Sequence, residues 1–106
     1  MPSGSIVQFR PTIGFAFETV TVSNSAVSLT AATYAPAGGV RAEKAFITTE
    51  GEIRYRYDNN DPTASVGHIL KDGNFLILTG IHQIQMFRAI RNSTTDATLE
   101  VTYERE

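Results

Sequence analysis

Threonine and valine alternate from Thr19 to Val22, and a period of two returns along most of the chain. Such a period sends successive side chains to opposite faces and predicts half-buried β-strands. Val27 and Leu29 repeat it among serine and threonine, and Ala42 to Thr49, with Phe46 and Ile47, is rich in β-forming residues before a turn or bulge at Glu50-Gly51. Ile53, Tyr55 and Tyr57 then share one face while Glu52, Arg54 and Arg56 share the other, the pattern of a sheet with one wet side. "SVGHIL" and "NFLILTG" flank "KDGN", where Asp72-Gly73 suits the centre of a type I′ hairpin because both central residues need positive φ. In "QIQMFRAIR", Ile84, Met86 and Ile90 lie on one parity, which Arg88 interrupts. The last segment is the most regular: Ala97, Leu99, Val101 and Tyr103 alternate with Thr98, Glu100, Thr102 and Glu104.

Breakers separate these runs. Pro2, Gly4, Pro11 and Gly14 leave residues 1–14 without a sustained period, which predicts an extended N-terminal arm, and "TYAPAGGVR" reads as a loop. The arm carries Ile6, Val7, Phe9 and Ile13, enough apolar surface to add contact area to a neighbouring subunit. The pattern predicts an all-β chain of about seven to nine strands, with essentially no helix beyond a turn and no internal repeat. The expected architecture is a single antiparallel β-sandwich or jelly-roll-like domain over residues 15–106, a small barrel being the other closed arrangement.

Composition narrows the function classes. At 106 residues the chain is one domain, able to bury roughly 60 to 70 percent of its unfolded surface in a single core. A net charge of −2 lacks the basic excess that phosphate polymers attract, so no nucleic-acid partner is expected. The absence of cysteine excludes disulfides, thiol nucleophiles and cysteine-ligated zinc. No basic segment followed by an apolar one opens the sequence, so no secretory leader is expected, and the apolar run Phe75 to Leu78 is far short of the roughly 20 residues that cross a bilayer as a helix.

Arg54-Tyr55-Arg56-Tyr57 has the residue types of an RNA-binding sheet, but strand alternation puts rings and guanidiniums on opposite faces. Asp58-Asn59-Asn60-Asp61 offers oxygen ligands without the wider spacing of a calcium loop. Asn and Asp also make Asx turns, and Pro62 fixes the exit, so a metal-free polar corner is expected. With only His68 and His82, a three-histidine zinc site is excluded, and Ser65 lies three residues before His68, on the opposite face of an extended strand. No acidic pair can be assigned to glycoside hydrolysis from sequence, so no catalytic residue and no cofactor is predicted. Tyr34, in the proline-glycine loop, is the best single aromatic for stacking on a sugar, and Asn92-Ser93-Thr94 fits a glycosylation triplet.

The run "RYRYD", "DPTASVGHIL", the "DG" turn, "LTG", "FRAIR" and the terminal "DATLEVTYE" resembles small proteins encoded among the structural genes of tailed bacteriophages. The resemblance covers roughly the C-terminal half, and its most specific parts are Pro62 to Ser65, Gly67, Phe87 to Ile90 and Leu99 to Tyr103. It implies a non-enzymatic β-sandwich of the virion, of the head decoration or auxiliary capsid type. The implied partners are the major capsid protein of the same virion and further copies of the chain, and the implied location is the capsid surface more than the tail. The alternative is a carbohydrate- or receptor-binding β module of a tail or fibre. The candidate interaction surface is Tyr34, Arg41, Asp58, Asn59, Asn60, Asp61, Thr63 and Ser65, all in loops of the expected fold.

Overall fold

Two four-stranded antiparallel sheets carry the chain in the computed structural model, which describes residues 11–106. The elements run β1 (Ile13–Val22), β2 (Val27–Ser28), α1 (Ala31–Tyr34), β3 (Lys44–Glu50), β4 (Ile53–Arg56), β5 (His68–Leu70), β6 (Phe75–Thr79), α2 (Ile81–Met86), β7 (Arg88–Arg91) and β8 (Ala97–Arg105). One sheet has the order β1-β8-β3-β6 and the other β2-β7-β4-β5. Among the described residues the fold is thus all-β, with eight strands. β1 begins at Ile13, so the last two residues of the segment expected as an arm belong to a strand; Pro11 and Thr12 precede it without regular structure, and residues 1–10 of that expectation lie outside the described residues.

β8 shows how period two becomes a core. Ala97, Leu99, Val101 and Tyr103 are all fully buried, and β8 lies between β1 and β3, so its backbone is paired on both sides. β3 adds Ala45 and Ile47, β6 adds Leu78, and the second sheet returns Ile53, Leu70 and Ala89 against them. Burying a side chain of Leu or Ile size contributes about 1.5–3 kcal/mol, so this interior is what holds the two sheets face to face.

Three local expectations are overturned. The segment "QIQM" belongs to helix α2, because Ile81, Ile84 and Phe87 meet the core at a spacing of three, while Met86 stays half-buried. A four-residue helix, α1, occupies the start of the expected loop. Lys71 to Asn74 is no hairpin turn: β5 pairs with β4 in one sheet and β6 with β3 in the other, so the turn carries the chain across the sandwich. Asn74 N–H reaches Lys71 O at 3.0 Å, and φ is positive at Gly73 (83°) but not at Asp72, the pattern of a type II turn.

Candidate functional site

The strand pairings sort the connections into two unlike ends. Segments 23–26, 51–52, 71–74 and 92–96 gather at one end as short turns. At the other lie the start of β1, the end of β8, and the longer connections 29–43, 57–67 and 80–87. Sandwich loops clustered in this way form a composite surface on a rigid support, and this end carries the candidate residues.

Its acidic corner has a structural cause. β4 and β7 pair with Arg56 directly opposite Arg88, and like charges facing each other across a ladder destabilise it. The segment after β4 supplies the counter-charge. Asp58 accepts two hydrogen bonds from Arg56, from Nε at 3.0 Å and Nη2 at 2.5 Å. Arg88 Nη2 donates to Asn59 Oδ1 at 3.2 Å, and its Nε lies 3.6 Å from Asp61. The hydrogen bond from Arg56 is the main reason the Asp58 carboxyl is held down to about 2. Asn59 takes the left-handed φ of 67° that Asn tolerates, and Pro62 is buried beneath the corner. Thr63 Oγ1 accepts Val66 N–H at 3.0 Å and Ser65 N–H at 3.3 Å, closing a hydroxyl turn.

Aromatic rings line the mouth of the sandwich beside this corner. Tyr55 lies 5.8 Å from Phe87 and 5.4 Å from His68, and Tyr57 lies 6.1 Å from His68, all as ring-centroid distances. Burial raises the pKa of the Tyr55 hydroxyl above that of a free tyrosine. Arg56, Tyr57, Asp58 and His68 edge a hollow of about 140 Å³, smaller than the roughly 300–1,000 Å³ that encloses an organic ligand. A wider groove of about 610 Å³ runs between 39–43, Thr79 to Ile81 and Arg105.

The fold brings Asp58, Asn59, Asn60, Asp61, Thr63 and Ser65 together on one exposed corner and puts Arg41 at the same end, along the wider groove. Tyr34 does not join them. It is 7 % exposed and packs edge-on against Tyr103 at 5.9 Å, so its ring is core and cannot stack on a ligand. Asn92 is likewise engaged, accepting from Arg54 and donating to Glu52. Asp58 and Asp61 are turned toward arginines, the reverse of a cation's surroundings, and no group of three or more metal-ligating side chains gathers among the described residues. No helix among them is long and apolar enough to cross a membrane.

A second surface escaped the sequence reading. On the outer face of the first sheet, the ladder sets Phe17 beside Thr102, Thr102 beside Phe46 and Phe46 beside Ile77, with Phe75 one row away. Phe17, Phe46, Phe75 and Ile77 are 57, 37, 60 and 46 % exposed, and the Phe46 and Phe75 rings approach to 5.6 Å. "FLIL" is apolar on both parities, which was the available signal for a strand with no wet face. No protein-family model matches the chain, and neither a curated protein nor a solved structure matches it.

Proposed function

We propose that the chain is a non-enzymatic structural protein of a tailed-bacteriophage virion, a head decoration protein that binds the assembled capsid shell and stabilises it. The observation that carries this reading is the exposed apolar cluster Phe46, Phe75 and Ile77, with Phe17 beyond Thr102 on the same solvent side of the sheet, because exposed apolar surface of this kind on a β domain marks a face that another protein covers. The loop-bearing end supports it with a second, polar contact region built from Arg41 and the Asp58 to Ser65 corner. The resemblance of the C-terminal half to phage structural proteins supplies the assembly. Modest interfaces with several neighbours sum to tight attachment only where those neighbours are held together, so the partner is the shell rather than the free major capsid subunit.

Sedimentation of the purified protein with empty capsids and with unassembled capsid subunits tests the proposal. Retention on capsids alone is the expected result, and equal binding to both removes the composite site. The second reading, a carbohydrate-binding module of a tail or fibre, draws on the rings of Tyr57 and His68 above their hollow. Binding to neither capsid sample, with retention on host polysaccharide, selects it.

A further inference from the structure

β6 closes one side of the first sheet, and among the described residues no strand pairs with its outer edge. The direction of its backbone groups follows from the bonds that flank it. Thr49 N–H reaches Asn74 O at 3.2 Å and Gly80 N–H reaches Glu43 O at 2.7 Å, so residues 74 and 80 turn toward β3. Alternation then turns Leu76 and Leu78 inward and leaves the N–H and C=O groups of Phe75, Ile77 and Thr79 pointing out of the sheet. Thr79 agrees, since its N–H is taken by Gln83 Oε1 at 2.8 Å.

Edge strands are ordinarily guarded by a charge, a proline or a bulge. β6 has none of these, and Gln83 of α2 caps its edge at the Thr79 N–H. From Gly73 to Ile81 no side chain is charged, and Phe75 and Ile77 are exposed on the outer face. The edge is also self-complementary. In an antiparallel pair of two β6 strands centred on Ile77, Phe75 lies opposite Thr79 and Ile77 opposite Ile77; their backbone groups point outward in both copies, and the Thr79 N–H exchanges Gln83 Oε1 for the facing Phe75 carbonyl. No like charges meet. The outer-face row Phe17, Thr102, Phe46, Ile77 then continues across the axis into its symmetry mate.

We propose that β6 is a self-pairing edge, and that a second copy of this chain adds its own β6 antiparallel across a two-fold axis at Ile77, joining two four-stranded sheets into one. The inference rests on the assembly reading for its purpose and on the free edge for its geometry. A stable dimer buries about 1,200–2,000 Å² in total, more than one short strand pair supplies, so the pairing is weak in dilute solution and is best read by a covalent trap.

The chain has no cysteine, so single cysteines report register directly. Directly opposite residues have Cα atoms about 5.5 Å apart, within disulfide reach, whereas Phe75 and its own copy are offset by roughly 13 Å. Under mild oxidation of concentrated protein, Ile77→Cys should form disulfide dimers at least tenfold faster than Phe75→Cys, and the double variant Phe75→Cys/Thr79→Cys should match it. Adding Ile77→Pro to that double variant should abolish the trap, because proline removes only the outward N–H and spares the ladder to β3. Unchanged far-ultraviolet circular dichroism verifies that each variant folds. Equal rates for Ile77→Cys and Phe75→Cys, or no dimer from either, overturns the proposal. A dimer that appears only after residues 2–10 are deleted also overturns it and makes that segment the occupant of the edge. The trap uses the purified chain alone, so a failure of capsid binding leaves its outcome unchanged.

Discussion

Glu18 sits on the inward parity of β1, with Val20 and Val22, where an apolar residue would ordinarily stand. Its carboxylate accepts the Tyr103 hydroxyl at 2.5 Å, Thr30 N–H at 3.1 Å and the Thr30 hydroxyl at 2.7 Å, joining β1, β8 and the start of α1. Tyr103 has no exposed surface, so Glu18→Ala strands a buried hydroxyl, which costs about 1–3 kcal/mol. The two Thr30 bonds are exposed and add about 0.5–1 kcal/mol together. The expected loss for Glu18→Ala is therefore about 3 kcal/mol. Tyr103→Phe removes one bond to a charged acceptor and leaves Glu18 its Thr30 partners, a loss of about 2 kcal/mol. The double variant should lose about 3 rather than 5 kcal/mol, since removing both partners leaves nothing unsatisfied, and the cycle should return about 2 kcal/mol of coupling. With an unfolding entropy of about 2.1 cal/mol/K per residue, each kcal/mol lowers Tm by about 4–5 °C, so Glu18→Ala should melt roughly 13 °C below the parent. Urea unfolding followed by circular dichroism, with an unchanged m-value, gives the same quantities isothermally. Additive single effects, or a neutral Tyr103→Phe, would refute the claim that this pair holds the strand to the loop-bearing end.

Asp58, held at about 2 against an ordinary value of 3.8, should titrate late in a carboxyl NMR experiment, and Arg56→Ala should return it to the ordinary range; its folded pKa is the lower one, so the corner's contribution is present above about pH 4 and fades as pH falls toward 2. Burial, and then the bond to Glu18, raise the Tyr103 hydroxyl, so stability should decline as pH climbs past about 10, where the unfolded tyrosine ionises, and absorbance at 295 nm should show Tyr103 silent until the chain unfolds. Chelator and millimolar calcium should give the same Tm, whereas a hundredfold excess over Kd at a real site would add about 2.7 kcal/mol and raise it by several degrees. Gly67→Ala should cost about 2 kcal/mol in urea unfolding, because at φ of 138° its Cβ would lie 3.1 Å from Pro62 Cβ and 3.2 Å from Tyr55 O, whereas Gly73→Ala, with nothing near, should cost about 1 kcal/mol.

Local chemistry was legible wherever one segment decides its own conformation. Alternation at Ala97 to Tyr103 already named a strand and its buried face, because a period of two leaves one side apolar whatever it pairs with. The corner at Asp58 to Ser65 was equally plain, since Asn, Pro and a threonine hydroxyl act on backbone only a few residues away. Partnership was not legible. Asp72-Gly73 looks the same whether the chain folds back on itself or crosses to the other sheet, and only the pairing of β5 with β4 and β6 with β3 chose the crossing. Ile84 fits both parity and a helical spacing, and its burial beside Ile81 and Phe87 favoured the helix. Tyr34 became core, and Glu18 an inward carboxylate, because Tyr103 from the far end of the chain came to lie against both. The Arg56 and Arg88 pairing that gives the acidic corner its purpose, and the β6 edge that no described strand pairs, likewise exist only once strands distant in sequence are neighbours. The amino-acid order by itself determined most of the segments that extend and the places where the chain turns, but not the helix at Ile81 to Met86. Tertiary structure decided which strands meet, because ladder hydrogen bonds are alike at every register and only the sum of buried side chains selects one.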